Sequence, residues 1–472
     1  MNKPSSSLRA WDPPWIQPLS KGAINTFGYR RNQGICSEID GVAIDDLMNS
    51  YGSPLFITSE KRLRDNVRGM IQSFENHYPT VVHGWSYKTN ITAAICRILH
   101  QEGSWAEVVS KSEYEKARLL GVPGNLILFN GPYKPRAILE RAVSEGAHVH
   151  LDHLDELDLM ESVAREQGRV VSVALRLNFN TGITEPWSRF GFNLENGQAI
   201  EAATRIRLSP HLSLNGLHSH IGTFILDPTA FGEQVRLMTE FLHEVERDSG
   251  TRIAYLDIGG GFPSHNALQG TPIPPEQAVP ELEEYTKRIG MALKKGLSDR
   301  PGPLPLLIFE SGRAVVDDAQ SLAATVVGTK RLVDGRRGVI LDAGINLLLT
   351  ALWYHHPVQL VQPKDGVPEE TAIFGPLCMN IDYMRQMVTL PPLAVGDRLI
   401  FSPVGAYNNT QWLQFIELRP PIILVNARGQ HEIIRQGETL ASLCEQERMP
   451  PHLDSSPGHW PPLPQPWHDD MG

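Results

Sequence analysis

The sequence predicts an α/β fold, a (β/α)8 barrel followed by an all-β domain. Three observations carry this. Eight short apolar runs lie between Thr80 and Glu310, separated by stretches with apolar residues at three- and four-residue spacing. Beyond about residue 315 the helical period fades and short strands alternate with Gly and Pro. The chain has 472 residues, more than a single core grows to, so two domains are expected.

The runs are TVVHGWSYK (80–88), WAEVV (105–109), NLILF (125–129), AHVHL (147–151), VVSVALRL (170–177), LNGLHSH (214–220), RIAYLDIGG (252–260) and LPLLIFE (304–310). Between them TAAICRILHQ, SEYEKARLLG, KPRAILERAVSEG and LDELDLMESVAREQG read as helices, with Gly where a C-cap falls. Parallel strands need such crossovers, and eight units make a barrel. AATVVGTKRL, GVILDAG, PVQLV, TAIFGPL, RLIFSPVGAY, PIILVN and HEIIRQG then read as strands of the second domain, to which the segment ending SPLFIT is expected to add another. The resulting division is a flexible segment 1–20, a segment 21–55 joining the β-domain, a barrel over 56–314, a β-domain over 315–447, and a disordered Pro-rich tail over 448–472.

A net charge of −10 with no basic stripe argues against a nucleic-acid partner. No apolar run is long enough to span a bilayer, and the N-terminus lacks the apolar core of a secretory signal, so no membrane partner and a cytoplasmic location are expected. The four cysteines (Cys36, Cys96, Cys378, Cys444) show no disulfide or zinc spacing, and all but Cys378 read as small buried apolar residues. HVHLDHLDEL (148–157) offers three histidines and three carboxylates but has no second cluster to complete a metal site, so none is expected.

In a (β/α)8 barrel, chemistry sits at the C-terminal ends of the strands. Lys88 ends run one, His218 and His220 end run six, GGGFP (259–263) ends run seven, and Glu310 followed by SGR ends run eight. No acidic neighbour in sequence pairs with Lys88, so a desolvated amine of low proton affinity is expected there. The glycine turn can close backbone N–H groups around a phosphate, and Arg313 can add a bidentate contact. An amine that reacts with an aldehyde, a phosphate cradle, a carboxylate for a pyridine nitrogen and a histidine to stack on the ring together suggest pyridoxal 5'-phosphate.

The chain resembles the fold-type III pyridoxal-phosphate decarboxylases, the family of diaminopimelate, ornithine and arginine decarboxylases. YKTN (87–90), AEVVS (106–110), SRFGF (188–192), HSHIGT (218–223), DIGGGFP (257–263), ESGR (310–313), LDAGIN (341–346), GPLCMNID (375–382) and GAY (405–407) carry the likeness, in family order. The resemblance implies an alanine-racemase-like barrel with a C-terminal β-domain, and a homodimer with shared active sites. It implies Lys88 as the Schiff-base lysine and His220 as the residue stacked on the cofactor. Thr223, Gly260, Gly261, Arg313 and Tyr407 fall near the phosphate, Glu310 at the pyridine nitrogen, and Cys378 as the proton donor reaching into the partner's site. Arg176, Thr350, Tyr354, Met379 and Asp382 are the implied substrate contacts, and His355 and His356 of YHHP are candidates to line the pocket.

The departures concern the substrate. Thr350 stands where diaminopimelate decarboxylases carry an arginine for the distal carboxylate, and Met379 replaces an acidic residue. The expected activity is therefore decarboxylation of a diamino acid or a conjugated amino acid, not of free meso-diaminopimelate. A racemase of this fold would set an arginine against the pyridine nitrogen, which Glu310 argues against. A silent regulatory protein would have lost Lys88 or Cys378, and both are present.

Overall fold

The computed structural model describes residues 34–270, 274–454 and 458. The expected flexible segment 1–20 and most of the Pro-rich tail lie outside the described residues. All eight predicted barrel strands are present: β1 (Val81–Ser86), β2 (Trp105–Val108), β3 (Ile127–Phe129), β4 (His148–Leu151), β5 (Val171–Asn178), β6 (Leu212–Ser219), β7 (Tyr255–Asp257) and β8 (Leu306–Phe309). Each pairs in parallel with the next, and β8 pairs with β1 to close the barrel.

The register sets what the barrel holds. Gly84 of β1 lies beside Trp105 and Ser86 beside Glu107, so alternate residues of every strand turn inward in level rows. The lower row is apolar: Leu128, Ala174, Tyr255 and Ile308, from four different strands, pack together with Trp105 against them. The upper row is polar and equally buried: Glu107, His150, Arg176, His218, Asp257 and Glu310. Residues of opposite parity, among them Leu175, Leu217, Leu256, Leu307 and Phe309, face outward into the main core beneath the helices. There Phe74 stacks on Phe309 at 3.9 Å, and truncating either ring to Ala would cost about 3–5 kcal/mol.

The helices follow their sequence signals. Ser59 caps Glu60–Glu75 by accepting from the Arg62 N–H, and Ser110 caps Lys111–Leu119 by accepting from Glu113 N–H. Arg136–Glu145 ends at Gly146 in the left-handed region, φ 74°. Among the described residues no helix is long and apolar enough to cross a membrane.

The second domain is a nine-stranded sheet around Gln320–Arg331. That strand pairs antiparallel with Arg337–Leu341, Arg398–Phe401 and Leu55–Ser59. The early strand therefore joins the β-domain, but it reaches Ser59, so residues 56–59 belong with this sheet and not with the barrel. Tyr383–Leu390 is a strand the sequence pattern did not reveal. Its middle is Arg-Gln-Met with little burial, because it pairs only with Glu369–Phe374 at the end of the sheet. An edge strand has no second neighbour to enforce alternation.

Cys96 is buried as expected, whereas Cys36 and Cys444 are only half-buried; all four cysteines are free.

Candidate active site

A cavity of about 740 Å³ opens at the C-terminal ends of the barrel strands. Ten of the residues expected from sequence line it together: Lys88, Arg176, His220, Thr223, Gly261, Glu310, Arg313, Thr350, Tyr354 and Tyr407. The β-domain supplies the last three and also fixes the turn that presents Lys88. Thr410 Oγ1 donates to the Lys88 carbonyl at 2.9 Å, Tyr407 N–H to the Thr89 carbonyl at 2.9 Å, and Asn90 Nδ2 to the Gly405 carbonyl at 3.1 Å.

Lys88 is not unpaired. Its Nζ donates to both carboxylate oxygens of Glu107, at 2.7 and 2.6 Å. Burial alone would pull the proton off this amine. The carboxylates of Glu107 and Glu310, with the Tyr407 hydroxyl, outweigh that effect and hold the proton above the ordinary lysine range. Burial in turn pushes the Glu107 carboxyl up, against the pull of Lys88. The expectation of a low-affinity amine thus fails for a partner nineteen residues away in sequence, on the adjacent strand. The signal was present in WAEVV, where a lone carboxylate sits inside an apolar run at an inward position.

Below Lys88 the upper row is crowded with polar groups. Asn130 Nδ2 donates to Glu310 Oε1 at 2.5 Å, and His218 Nε2 lies 3.6 Å from Glu310 Oε2. Burial pushes the carboxyls of both Glu310 and its neighbour Asp257 up. The histidine-rich segment 148–157 does not assemble as one cluster. His148 stacks on Trp105, His153 caps its helix, and Glu156 pairs with Lys134 at 2.7 Å. His148 faces the lower row of the barrel, and only His150, one row up, joins His218, Asp257 and Glu310 with potential ligand atoms within 4.8 Å of one another. A metal-capable cluster is thus present, although the segment 148–157 contributes only one of its members.

Arg313 is buried at 8% exposure, and its Nε and Nη1 have no hydrogen-bond partner among the described residues. Around it lie the rings of Tyr407, Tyr354 and Phe224. The nearby glycine turn leaves no room for side chains: a Cβ on Gly260 would meet the Glu310 carbonyl at 2.1 Å, and one on Gly261 the Gly222 carbonyl at 2.6 Å. The Gly260 N–H donates to His220 Nδ1 at 3.0 Å, so Gly260 orients the histidine and does not itself face the cavity. With Nδ1 accepting, His220 carries its proton on Nε2, and burial keeps the ring neutral. An amine, a carboxylate, a flat neutral imidazole and an uncompensated guanidinium beside a bare glycine turn fit pyridoxal phosphate.

The substrate end differs from expectation. Thr350 lines the cavity, but its Oγ1 is held by His356 Nε2 at 2.8 Å and Asn408 Oδ1 at 2.9 Å. His356 lies behind Thr350, buried, and His355 lies outside the cavity wall, so neither lines it. Asp382 is also outside; its carboxylate accepts the N–H groups of Ile345 and Leu377, both at 2.8 Å, and braces the GPLC loop. Cys378 is exposed, and neither it nor Met379 touches the cavity of its own chain. Arg176 does line it, but inside the barrel mouth, 4.4 Å from the Phe190 ring centroid and 3.5 Å from Asp152.

Sequence reasoning missed Glu107, Asn130 and Asp317. Asp317 accepts from Ser264 and from Asn266 at 2.7 Å on one oxygen, and from Ala406 N–H at 3.1 Å on the other, tying the loop after β7 to the GAY loop. Nothing in VVDDAQ marks that role, because its partners come from distant segments.

Residues 64–317 match the pyridoxal binding domain of the pyridoxal-dependent decarboxylases, and residues 242–405 match the family's C-terminal sheet domain. The diaminopimelate decarboxylase of Archaeoglobus fulgidus is 29% identical over 88% of this chain and 97% of its own length. That of Bacillus subtilis is 27% identical over 88% and 96%. A solved structure of diaminopimelate decarboxylase from M. jannaschii with L-lysine superposes with a TM-score of 0.80 at 28% identity, covering 88% of this chain and 96% of that one.

Proposed function

The chain belongs to the pyridoxal-dependent decarboxylases, and from that premise we propose that this cytosolic homodimer decarboxylates a diamino acid or a conjugated amino acid other than free meso-diaminopimelate. That it is a pyridoxal-phosphate-dependent carboxy-lyase acting on an amino acid follows from the family. The substrate class rests on one observation above others: Thr350, at the position of the family's distal-carboxylate arginine, is neutral and already hydrogen-bonded within the protein.

Pyridoxal phosphate, when bound, supplies an electron-withdrawing ring that accepts the electron pair left on the α-carbon as CO2 departs. The protein's residues hold and prepare that event. Lys88 Nζ would hold the cofactor through its aldehyde carbon, the carbonyl oxygen leaving as water, and Glu107, 2.6 Å away, would take the proton the amine must lose. Glu310, with Oε1 pinned by Asn130, would keep a proton at the ring nitrogen. Arg313, Tyr407 and the Gly261 turn would hold the phosphate, and His220 would lie against the ring. Cys378 of the partner subunit gives its Sγ proton to the α-carbon; its exposure outside its own cavity supports delivery across an interface.

A second reading, meso-diaminopimelate itself, is favoured by Arg189. This arginine lines the cavity, lies 4.6 Å from the Phe190 ring centroid and has no carboxylate partner among the described residues. Initial rates of CO2 release with meso-diaminopimelate, lysine, ornithine, arginine and an N-acylated diamino acid separate the two, with products identified by mass. Diaminopimelate giving the highest kcat/KM would establish the second reading and end the first.

A further inference from the structure

We propose that Phe224 is a positioning residue: with Tyr354 and Tyr407 it aims the Arg313 guanidinium at the cofactor's phosphate and thereby sets the preference for the phosphorylated vitamer. The inference rests on the assignment of Arg313 to the phosphate made above; Phe224 has no role in that assignment.

A buried guanidinium is normally met by a carboxylate. Arg313 has none within ion-pair distance among the described residues; instead three ring centroids lie 4.9 Å (Tyr407), 5.1 Å (Tyr354) and 5.6 Å (Phe224) from its Cζ. Aromatic faces attract the cation without neutralising it and without accepting its N–H groups in line. The charge and the donors of Nε and Nη1 therefore stay available for an anion. A carboxylate in place of these rings would cancel both.

Two of the three rings sit on backbone that L-residues rarely adopt, Phe224 at φ 54° and Tyr407 at φ 66°. A bulky residue persists there only when its surroundings over-determine it. For Phe224 the surroundings are the phosphate turn itself: the Ile225 N–H donates to the Gly261 carbonyl at 3.0 Å, and the Phe224 ring lies 5.3 Å from that of Tyr354. The strained residue, the glycine turn and the guanidinium form one connected unit.

The test compares pyridoxal 5'-phosphate with pyridoxal as ligands of the full-length chain after reversible cofactor removal, read by quenching of intrinsic tryptophan fluorescence. Lys88 and the ring contacts serve both ligands, so the ratio of the two dissociation constants isolates the phosphate, and general loosening of the site cancels. Phe224→Leu and Phe224→Gly should each lower the preference for the phosphate form by about thirtyfold, the size of one desolvated cation–π contact. Phe224→Tyr, which keeps a ring, should preserve it, and Arg313→Gln should lower it further. An unchanged ratio in both Phe224 variants while Arg313→Gln lowers it overturns the role of Phe224 alone. An unchanged ratio in Arg313→Gln overturns the phosphate assignment, and the inference with it.

Discussion

The two ends of the cavity are built on opposite principles. At the cofactor end, buried polar groups face inward with their capacity unmet or shared among themselves: Arg313 Nε and Nη1 have no partner among the described residues, and Glu310, held by Asn130 on one oxygen, crowds against Asp257 and, at 3.6 Å, His218. At the substrate end, Arg189 apart, the polar groups are satisfied by the protein. Thr350 is shared between His356 and Asn408, and Asp382 is taken up by two backbone amides. A buried polar atom without a partner is costly unless a ligand completes it. The contrast therefore marks where a charged ligand is required and where, except at Arg189, the walls give shape alone. Holding Phe224 and Tyr407 at positive φ, about 1–3 kcal/mol each, is a further cost borne at the cofactor end.

The sharpest break comes from removing the amine at the cofactor end. Lys88→Ala should lower kcat/KM by roughly 10⁴-fold or more, because the residue proposed to hold the cofactor covalently is lost. Borohydride treatment of the wild-type chain should fix the cofactor to the peptide containing Lys88 and to no other. A label on a different lysine would invert the comparison, since Lys88 would then be only the partner of Glu107.

The next effect probes the substrate end. A distal carboxylate entering beside Thr350 would leave its water without gaining a cation, and discrimination set by missing polar partners reaches roughly 10⁴. With Arg189 at the cavity wall able to recover part of this, meso-diaminopimelate should fall about 10²- to 10³-fold below the preferred substrate in kcat/KM. Thr350→Arg should narrow that gap. If diaminopimelate leads the set in the wild type, the satisfied state of Thr350 says nothing about selectivity.

The same contrast explains what could be read from the sequence. The eight strands and the rim were legible because period and strand ends are local, and Lys88, His220, Glu310 and Arg313 fell where those ends put them. Glu107 was not assigned because its partner lies on the neighbouring strand and pairing depends on register. Asp382 and His356 were misplaced for a related reason. Both lie in loops, where direction is set by tertiary hydrogen bonds and not by a repeating period.

A smaller effect tests whether Cys378 acts across an interface. Lys88→Ala and Cys378→Ala chains are each expected to be inactive. Mixed at equal amounts, random pairing makes about half the dimers mixed, each with one intact site, so about a quarter of wild-type activity should return. Mixed dimers that form, as shown by native mass spectrometry, yet stay inactive would move Cys378 back into its own subunit's site.

The smallest effect asks whether His356 at the substrate end is framework or chemistry. Its Nδ1 donates to the Pro403 carbonyl at 2.8 Å, which leaves Nε2 of the neutral ring as one of two acceptors, with Asn408 Oδ1, around the single Thr350 hydroxyl proton. Burial pushes its pKa down to about 4, with Arg385 and Arg313 acting in the same direction and Asp317 opposing. The unfolded chain therefore binds a proton near pH 6.5 that the folded chain refuses until about pH 4. The stabilisation is complete above pH 6.5 and is lost as the pH falls through that window, by up to about 3 kcal/mol. Buried His83, lowered likewise to about 4, adds a term of the same sign, so wild-type stability should drop steeply between pH 6.5 and 4. His356→Gln can keep both hydrogen bonds but cannot titrate, so urea unfolding across this range should show a shallower acid loss than wild type, with kcat at pH 8 within a fewfold of wild type. An unchanged slope would mean that His356 is protonated in the folded chain. A kcat profile displaced along the pH axis, with unchanged stability, would make the Thr350–His356 pair part of the reaction and remove the distinction between the two ends.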